Sequence, residues 1–209
     1  MTVEGGEGVG KSTNLAFVER HLHDQGIDFV RSREPGGSIL GEQLRSLLLN
    51  VREDEISPMA ELLMMFAARA QHIKTLIEPN LKAGKWVLCD RFTDATYAYQ
   101  CGGRGIAQST VQRLEALVQQ TLRPDLTLLL DAPIETGMAR AKKRGQLDRM
   151  EREELAFFER VRAKYLAMAE EEPERYRIVD ASMPLVSVQE AVAHVCTQAV
   201  TAWREGQMP

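Results

Sequence analysis

Short apolar runs alternate along the chain with stretches whose apolar residues recur every three or four positions. The first kind suits buried strands and the second amphipathic helices. Thr2 and Val3 lead straight into a glycine-rich turn, after which 11–25 places Leu15, Val18 and Leu22 on one helical face. Residues 27–30 predict a short strand, and 40–49 a helix with Leu44, Leu47 and Leu48 turned inward. Pro58 suits the first turn of a long helix reaching about Leu81. The run 86–89, bounded by Gly84 and Asp90, is too short for a helix. Helices are predicted over 93–100 and 109–121, with the glycine-rich 101–105 as the loop between them. Residues 126–130 are apolar but for Thr127 and do not alternate, as in parallel strands covered on both faces. Helices over 133–144 and 151–171, a strand at 177–179 and a helix over 187–204 complete the pattern.

Strands and helices alternating at this rhythm imply an α/β fold, a parallel sheet wrapped by helices. Ligands of such sheets bind beyond the carboxyl ends of the strands, so chemistry is expected there. The 209 residues suit one domain, 1–209, without repeat or linker. Lys and Arg number 26 against 30 Asp and Glu, a net charge of −4, which argues against a nucleic-acid binder. Apolar runs such as 128–130 fall far below the ~18 residues a membrane span needs. No basic-then-apolar segment opens the sequence, and Cys89, Cys101 and Cys196 lack metal or disulfide spacing. A cytoplasmic protein is expected.

Gly5-Gly6-Glu7-Gly8-Val9-Gly10-Lys11-Ser12 fits G-x-x-x-x-G-K-[ST], with Thr13 following. Its glycines let successive N–H groups point at phosphate oxygens while the next helix presents its positive end. Lys11 would reach the β- and γ-phosphates of ATP, and the Ser12 hydroxyl would hold Mg²⁺. Asp90 and Arg91 follow the 86–89 strand directly, at the same sheet edge. An Asp there can hold a magnesium-bound water, and an Arg can grip a second phosphate. Arg33, in the turn Arg33-Glu34-Pro35-Gly36-Gly37, and Arg45 are further phosphate candidates. Arg140, Lys142, Lys143, Arg144 and Arg149 crowd around Gly145 and Gln146 in an otherwise acidic chain. The cradle has no arginine of its own, so this segment, at about 140–150, is the expected mobile basic lid that neutralises charge on a transferring phosphoryl group.

In this order, the motifs resemble the thymidylate kinase family of P-loop nucleotide kinases. They are the cradle 5–13, Arg33 to Gly37, Phe66-Ala67-Ala68-Arg69, Asp90-Arg91-Phe92 through Tyr99-Gln100, Gly102 to Gly105, Arg123-Pro124-Asp125-Leu126, and Arg144 to Arg149. The resemblance covers essentially the whole chain. It implies a five-stranded parallel sheet in a three-layer sandwich, a homodimer built from helices, and phosphoryl transfer from Mg·ATP to dTMP. It implies that Lys11, Arg91, Arg144 and Arg149 are catalytic, that the cradle 5–13 binds ATP, and that Ser12 and Asp90 serve Mg²⁺. Arg33, Arg45 and Arg91 would hold the dTMP phosphate and Glu7 would lie near the sugar 3′-hydroxyl. Phe66, Arg69, Thr96 and Gln100 would meet the base and Tyr99 the sugar at C2′. Arg69 and Gln100 would both donate to the thymine carbonyl at position 4. The two alternatives weighed beside it are a related deoxynucleoside kinase and a non-enzymatic P-loop ATP switch.

Overall fold

The apolar run at 126–130 becomes a strand covered on both faces. The computed structural model describes residues 1–51, 54–145 and 148–207, without the Arg144 side chain. In it β4 (Thr127–Asp131) lies between β1 (Thr2–Gly5) and β5 (Tyr176–Asp180). Beyond β1 come β3 (Trp86–Asp90) and β2 (Phe29–Arg33), giving the order β2-β3-β1-β4-β5 with every pairing parallel.

On one face, α1 (Lys11–Asp24) and α9 (Leu185–Arg204) bury Leu15, Val18, Leu22, Val192 and Cys196 against Val3, Leu88, Leu128 and Leu130. On the other, α8 (Leu155–Glu171) packs Phe158, Val161 and Tyr165 near Leu129 and Tyr99. The remaining helices are α2 (Ile39–Leu49), α3 (Pro58–His72), α4 (Glu78–Lys82), α5 (Thr93–Thr96), α6 (Gln108–Val118) and α7 (Ile134–Arg144). The result is the three-layer sandwich. No helix among the described residues is long and apolar enough to cross a membrane.

Three local expectations shift. Ile27 is not in β2: its N–H donates to Leu22 O at 3.0 Å and its side chain plugs the end of α1. The strand starts at Phe29 and runs on through Arg31, Ser32 and Arg33, whose backbone pairs with Leu88, Cys89 and Asp90. Leu47 stands exposed on α2, while Leu48 is fully buried. The predicted 101–105 loop is mostly helical, because α5 continues as a π-helical turn over Tyr97–Gly103. Gly102 and Gly103 are there for close packing: a Cβ would come 2.9 Å from Arg160 O and 2.4 Å from the Phe157 ring, respectively. A second π turn, Ile73–Ile77, joins α3 to α4, so the long helix from Pro58 persists with a change of phase.

Leu128 is fully buried between α1 and α9. Leu128→Ala is expected to lower unfolding free energy by about 2–5 kcal/mol in urea titration, because the cavity adds to the lost transfer energy.

Candidate functional site

The carboxyl ends of β1 and β3 meet at a cleft of about 620 Å³. Gly10 adopts φ +88° just before α1, a conformation open to glycine, and turns the loop into the helix. Lys11 Nζ donates to Gly5 O at 3.1 Å and Gly6 O at 2.6 Å. Burial, reinforced by repulsion from Arg91, pushes the Lys11 ammonium down to about 8. Glu7, Gly8, Gly10, Lys11, Ser12 and Thr13 line the cleft, while Val9 turns into the core. Gly8 touches α7 backbone to backbone: a Cβ on Gly8 would lie 1.8 Å from Gly137 O, and one on Gly137 would lie 2.3 Å from Glu7 O.

Arg91 leaves β3 with φ +67°, a strained backbone for a side chain of this size. The next N–H, of Phe92, donates to the buried Glu4 carboxylate at 2.6 Å. Glu4 also accepts from the Tyr165 hydroxyl at 2.6 Å, and that hydroxyl accepts from Arg91 at 3.2 Å. Arg91 further donates to Gly5 O at 2.9 Å, Glu7 Oε1 at 2.8 Å and the Tyr99 hydroxyl at 2.9 Å. Its position is therefore fixed at backbone and fork alike. Burial, with the nearby Asp94 charge, raises the Glu4 carboxyl far above the usual range. Asp90 Oδ1 is buried with no protein partner in the same cleft as Ser12.

At the other end, Arg69 is held at Nε by Glu34 (2.7 Å) and at Nη2 by Thr96 (2.9 Å), with its Nη1 buried and unpartnered. Glu34 also pairs with His72 Nδ1 at 2.9 Å, and His72 Nε2 meets Ser32 Oγ at 2.6 Å. Gln100 Nε2 donates to Glu61 Oε1 at 2.9 Å. Arg45, Arg69, Asp90, Arg91, Thr96, Tyr99 and Gln100 all line the cleft.

Three expected residues stand elsewhere. Phe66 is buried outside the cleft, with the Arg69 guanidinium 4.8 Å above its ring, and Met65 takes the lining position. One residue along a helix is a turn of about 100°, enough to move an aromatic from cleft to core. Arg33 is half exposed and forks onto Glu42 at 2.7 and 3.3 Å, because that acidic residue lies one turn into α2. Arg149 does not reach the cradle: its guanidinium donates to Leu48 O at 2.6 Å and to Glu61, a buried carboxylate that needs cations. The Arg144 side chain lies outside the described residues. Gln100 also differs in what it offers, since one N–H of its amide is given to Glu61 and its orientation leaves Oε1 as an acceptor.

A cradle at the head of the first helix, at the end of the central strand of a parallel sheet and opening onto arginines, defines a P-loop protein built to hold phosphorylated ligands. The family model described as thymidylate kinase matches residues 3–192. The thymidylate kinase of Teredinibacter turnerae is 57% identical over 189 residues, covering 90% of this chain and 92% of that protein. Those of Methylococcus capsulatus and Chromohalobacter salexigens are 55% and 53% identical, over 92% and 97% of this chain and 92% and 97% of those proteins. The chain belongs to the thymidylate kinase family.

Glu4, Glu34, Glu61, His72, Tyr165 and Gly137 were not legible as site residues. A carboxylate in the strand entering the cradle is the one signal that could have marked Glu4. Gly137→Ala is expected to weaken ATP binding about 10- to 100-fold by calorimetry, since the loop must move by roughly an ångström. The exchange favours helix α7 itself by about 1 kcal/mol, so lost affinity without lost stability identifies the loop as the cause.

Proposed function

We propose that the chain transfers the γ-phosphoryl group of Mg·ATP to dTMP, giving dTDP and ADP, a step toward dTTP. The observation that carries this reading is that one cleft runs from Lys11 in the cradle, past Arg91, to Arg69 and Gln100. A cleft with the cradle in one wall and these polar side chains in the other suits a triphosphate and a nucleoside monophosphate meeting phosphate to phosphate. The family assignment disfavours the deoxynucleoside-kinase and switch readings. A monophosphate acceptor brings its own ionised nucleophile and needs charge neutralisation rather than a base. Glu7 and Glu34 suit that view, since arginines already engage both.

In this reading the cradle N–H groups and Lys11 hold the donor phosphates. Arg91 and Arg45 hold the acceptor phosphate, and Tyr99 packs at the sugar C2′ position, with Glu7 beside the 3′-hydroxyl. Ser12 and Asp90 fit Mg²⁺: the unpartnered Asp90 Oδ1 offers a hard oxygen in the shared cleft. Among the described residues no group of three His, Cys, Asp or Glu could hold a metal, which suits an ion carried largely by phosphates and water. That ion, when bound, offsets charge between the phosphates. The basic end of α7, where Arg140 lines the cleft, supplies the lid at about 140–150. We further infer a cytoplasmic homodimer: Met59 and Leu63 on α3 and Leu117 on α6 leave an apolar face exposed.

Coupled ADP-release assays should show turnover with dTMP, weaker but real turnover with dUMP, and very poor turnover with dCMP and UMP. ADP release indifferent to the acceptor would refute the reading. Lys11→Ala should cost 10²-fold or more, about 3 kcal/mol, in kcat while the fold survives.

The low Lys11 value makes nucleotide binding proton-linked. Free Lys11 loses its proton as pH rises through about 8, whereas bound phosphates keep it charged. Binding above that pH must take up a proton, so ATP affinity should fall between pH 8 and 9.5. Calorimetry in buffers of different ionisation enthalpy reads the uptake directly, and an absence of buffer dependence would contradict it.

A further inference from the structure

The Glu61 carboxylate lies fully buried on α3 and collects hydrogen bonds from three side chains in two distant parts of the chain. Gln100 Nε2 reaches Oε1 at 2.9 Å, Arg104 reaches both oxygens at 3.2 and 3.3 Å, and Arg149 reaches Oε2. An ionised carboxylate only accepts. Gln100 can therefore meet it through nitrogen alone, because the opposite amide orientation would set oxygen against oxygen. One N–H of that nitrogen serves Glu61, and the carbonyl Oε1 is the acceptor left for the cleft that Gln100 lines. Across that cleft Arg69, with two of its nitrogens tied to Glu34 and Thr96, keeps Nη1 unpartnered. Despite burial, the hydrogen bonds from Arg104, Gln100 and Arg149 hold the Glu61 carboxyl below its ordinary range. It stays ionised throughout the working pH.

We propose that Glu61 is a positioning residue for base selection: it fixes the Gln100 amide so that the cleft presents a donor, Arg69 Nη1, beside an acceptor, Gln100 Oε1. The inference rests on the reading of the cleft as a dTMP site. Thymine offers the complementary edge, a carbonyl at position 4 next to an N3–H. Cytosine offers the reverse at both atoms, an amino group next to a bare N3. Two mismatches reject it, and a hydrogen-bonding site that leaves buried groups unpaired discriminates far more strongly than one sensing a methyl group. The same carboxylate anchors Arg149, so the far end of the lid segment and the base reader share one support.

The test compares kcat/KM for dTMP and dCMP in wild type, Glu61→Gln and Glu61→Asp. In Glu61→Gln the neutral amide can donate or accept, which frees Gln100 to turn over. The dTMP/dCMP ratio is expected to fall about 10-fold or more, mainly through KM, and Glu61→Asp to retain most of it. A Glu61→Gln protein that loses stability or kcat with the ratio unchanged would reduce Glu61 to a structural anchor and overturn the proposal. A wild type that does not favour dTMP would instead overturn the dTMP reading itself. Should Glu61→Gln fail to fold, the wild-type Gln100 side-chain NH₂ signals decide, assigned by their loss in Gln100→Met. They should show a carboxylate-bonded amide that dTMP leaves in place. Signals that move onto the base would refute the assigned orientation.

Discussion

Arginines gathered in and behind one cleft repel one another, and here buried acidic side chains hold several of them in place. Glu4, through Tyr165 and the Phe92 N–H, braces Arg91; Glu34 braces Arg69; Glu61 braces Arg104 and Arg149. Removing one partner of a buried ion pair such as Glu34–Arg69 leaves an uncompensated charge, which costs about 3–5 kcal/mol. Arg69 keeps a single nitrogen for a ligand, and Arg91 takes a left-handed backbone that the Glu4 bond to the following N–H makes tenable. A site ordered before the ligand arrives loses little entropy on binding and keeps its donors where charge develops.

The same logic explains what could be read from the sequence. The cradle was legible because its residues are contiguous and their chemistry is backbone chemistry, set by glycine spacing and one lysine. The strands at 86–89 and 126–130 were legible because parallel strands buried on both faces are nearly all apolar rather than alternating. The supporting carboxylates were not, because their partners lie far off: Glu34 and Arg69 are 35 residues apart, Glu61 and Arg149 88 apart. No local pattern marks such a pair. Gly137 was equally hidden, since a glycine inside a predicted helix reads as a weak spot until the loop it touches is seen.

Helical phase accounts for the misplaced aromatic. Phe66 and Met65 are neighbours in sequence, yet one supports Arg69 from the core side and the other faces the cleft. With Phe92 also 5.2 Å from the same guanidinium, Arg69 is sandwiched between two rings. The aromatic expected to meet the base instead stiffens the cation expected to meet it. The π turn over Tyr97–Gly103 adds a second phase change that no apolar spacing announces, and such turns cluster at functional sites. Within it Tyr99 reaches Glu7 at 2.7 Å while Gln100 reaches Glu61, so adjacent residues tie the cleft wall to the cradle on one side and to α3 on the other.

Arg149 shows why a cluster of basic residues is not a single functional unit. Composition alone makes 140–150 one cationic patch, but burial divides it. Arg140 lines the cleft while its guanidinium also donates to Ala181 O at 2.8 Å, whereas Arg149 is drawn to Glu61 and to Leu48 O. A cation bound to a buried carboxylate is already neutralised, and lending it to a phosphoryl group would strip Glu61 of a partner it needs. Lys11 is in the opposite condition. Its ammonium meets only backbone carbonyls in the cradle and is pushed toward deprotonation by burial, so an incoming phosphate satisfies it without robbing any other group. Of the two cations, Lys11 is therefore the one an incoming anion can engage without breaking an existing ion pair, while Arg149 ties its segment to Glu61 on α3.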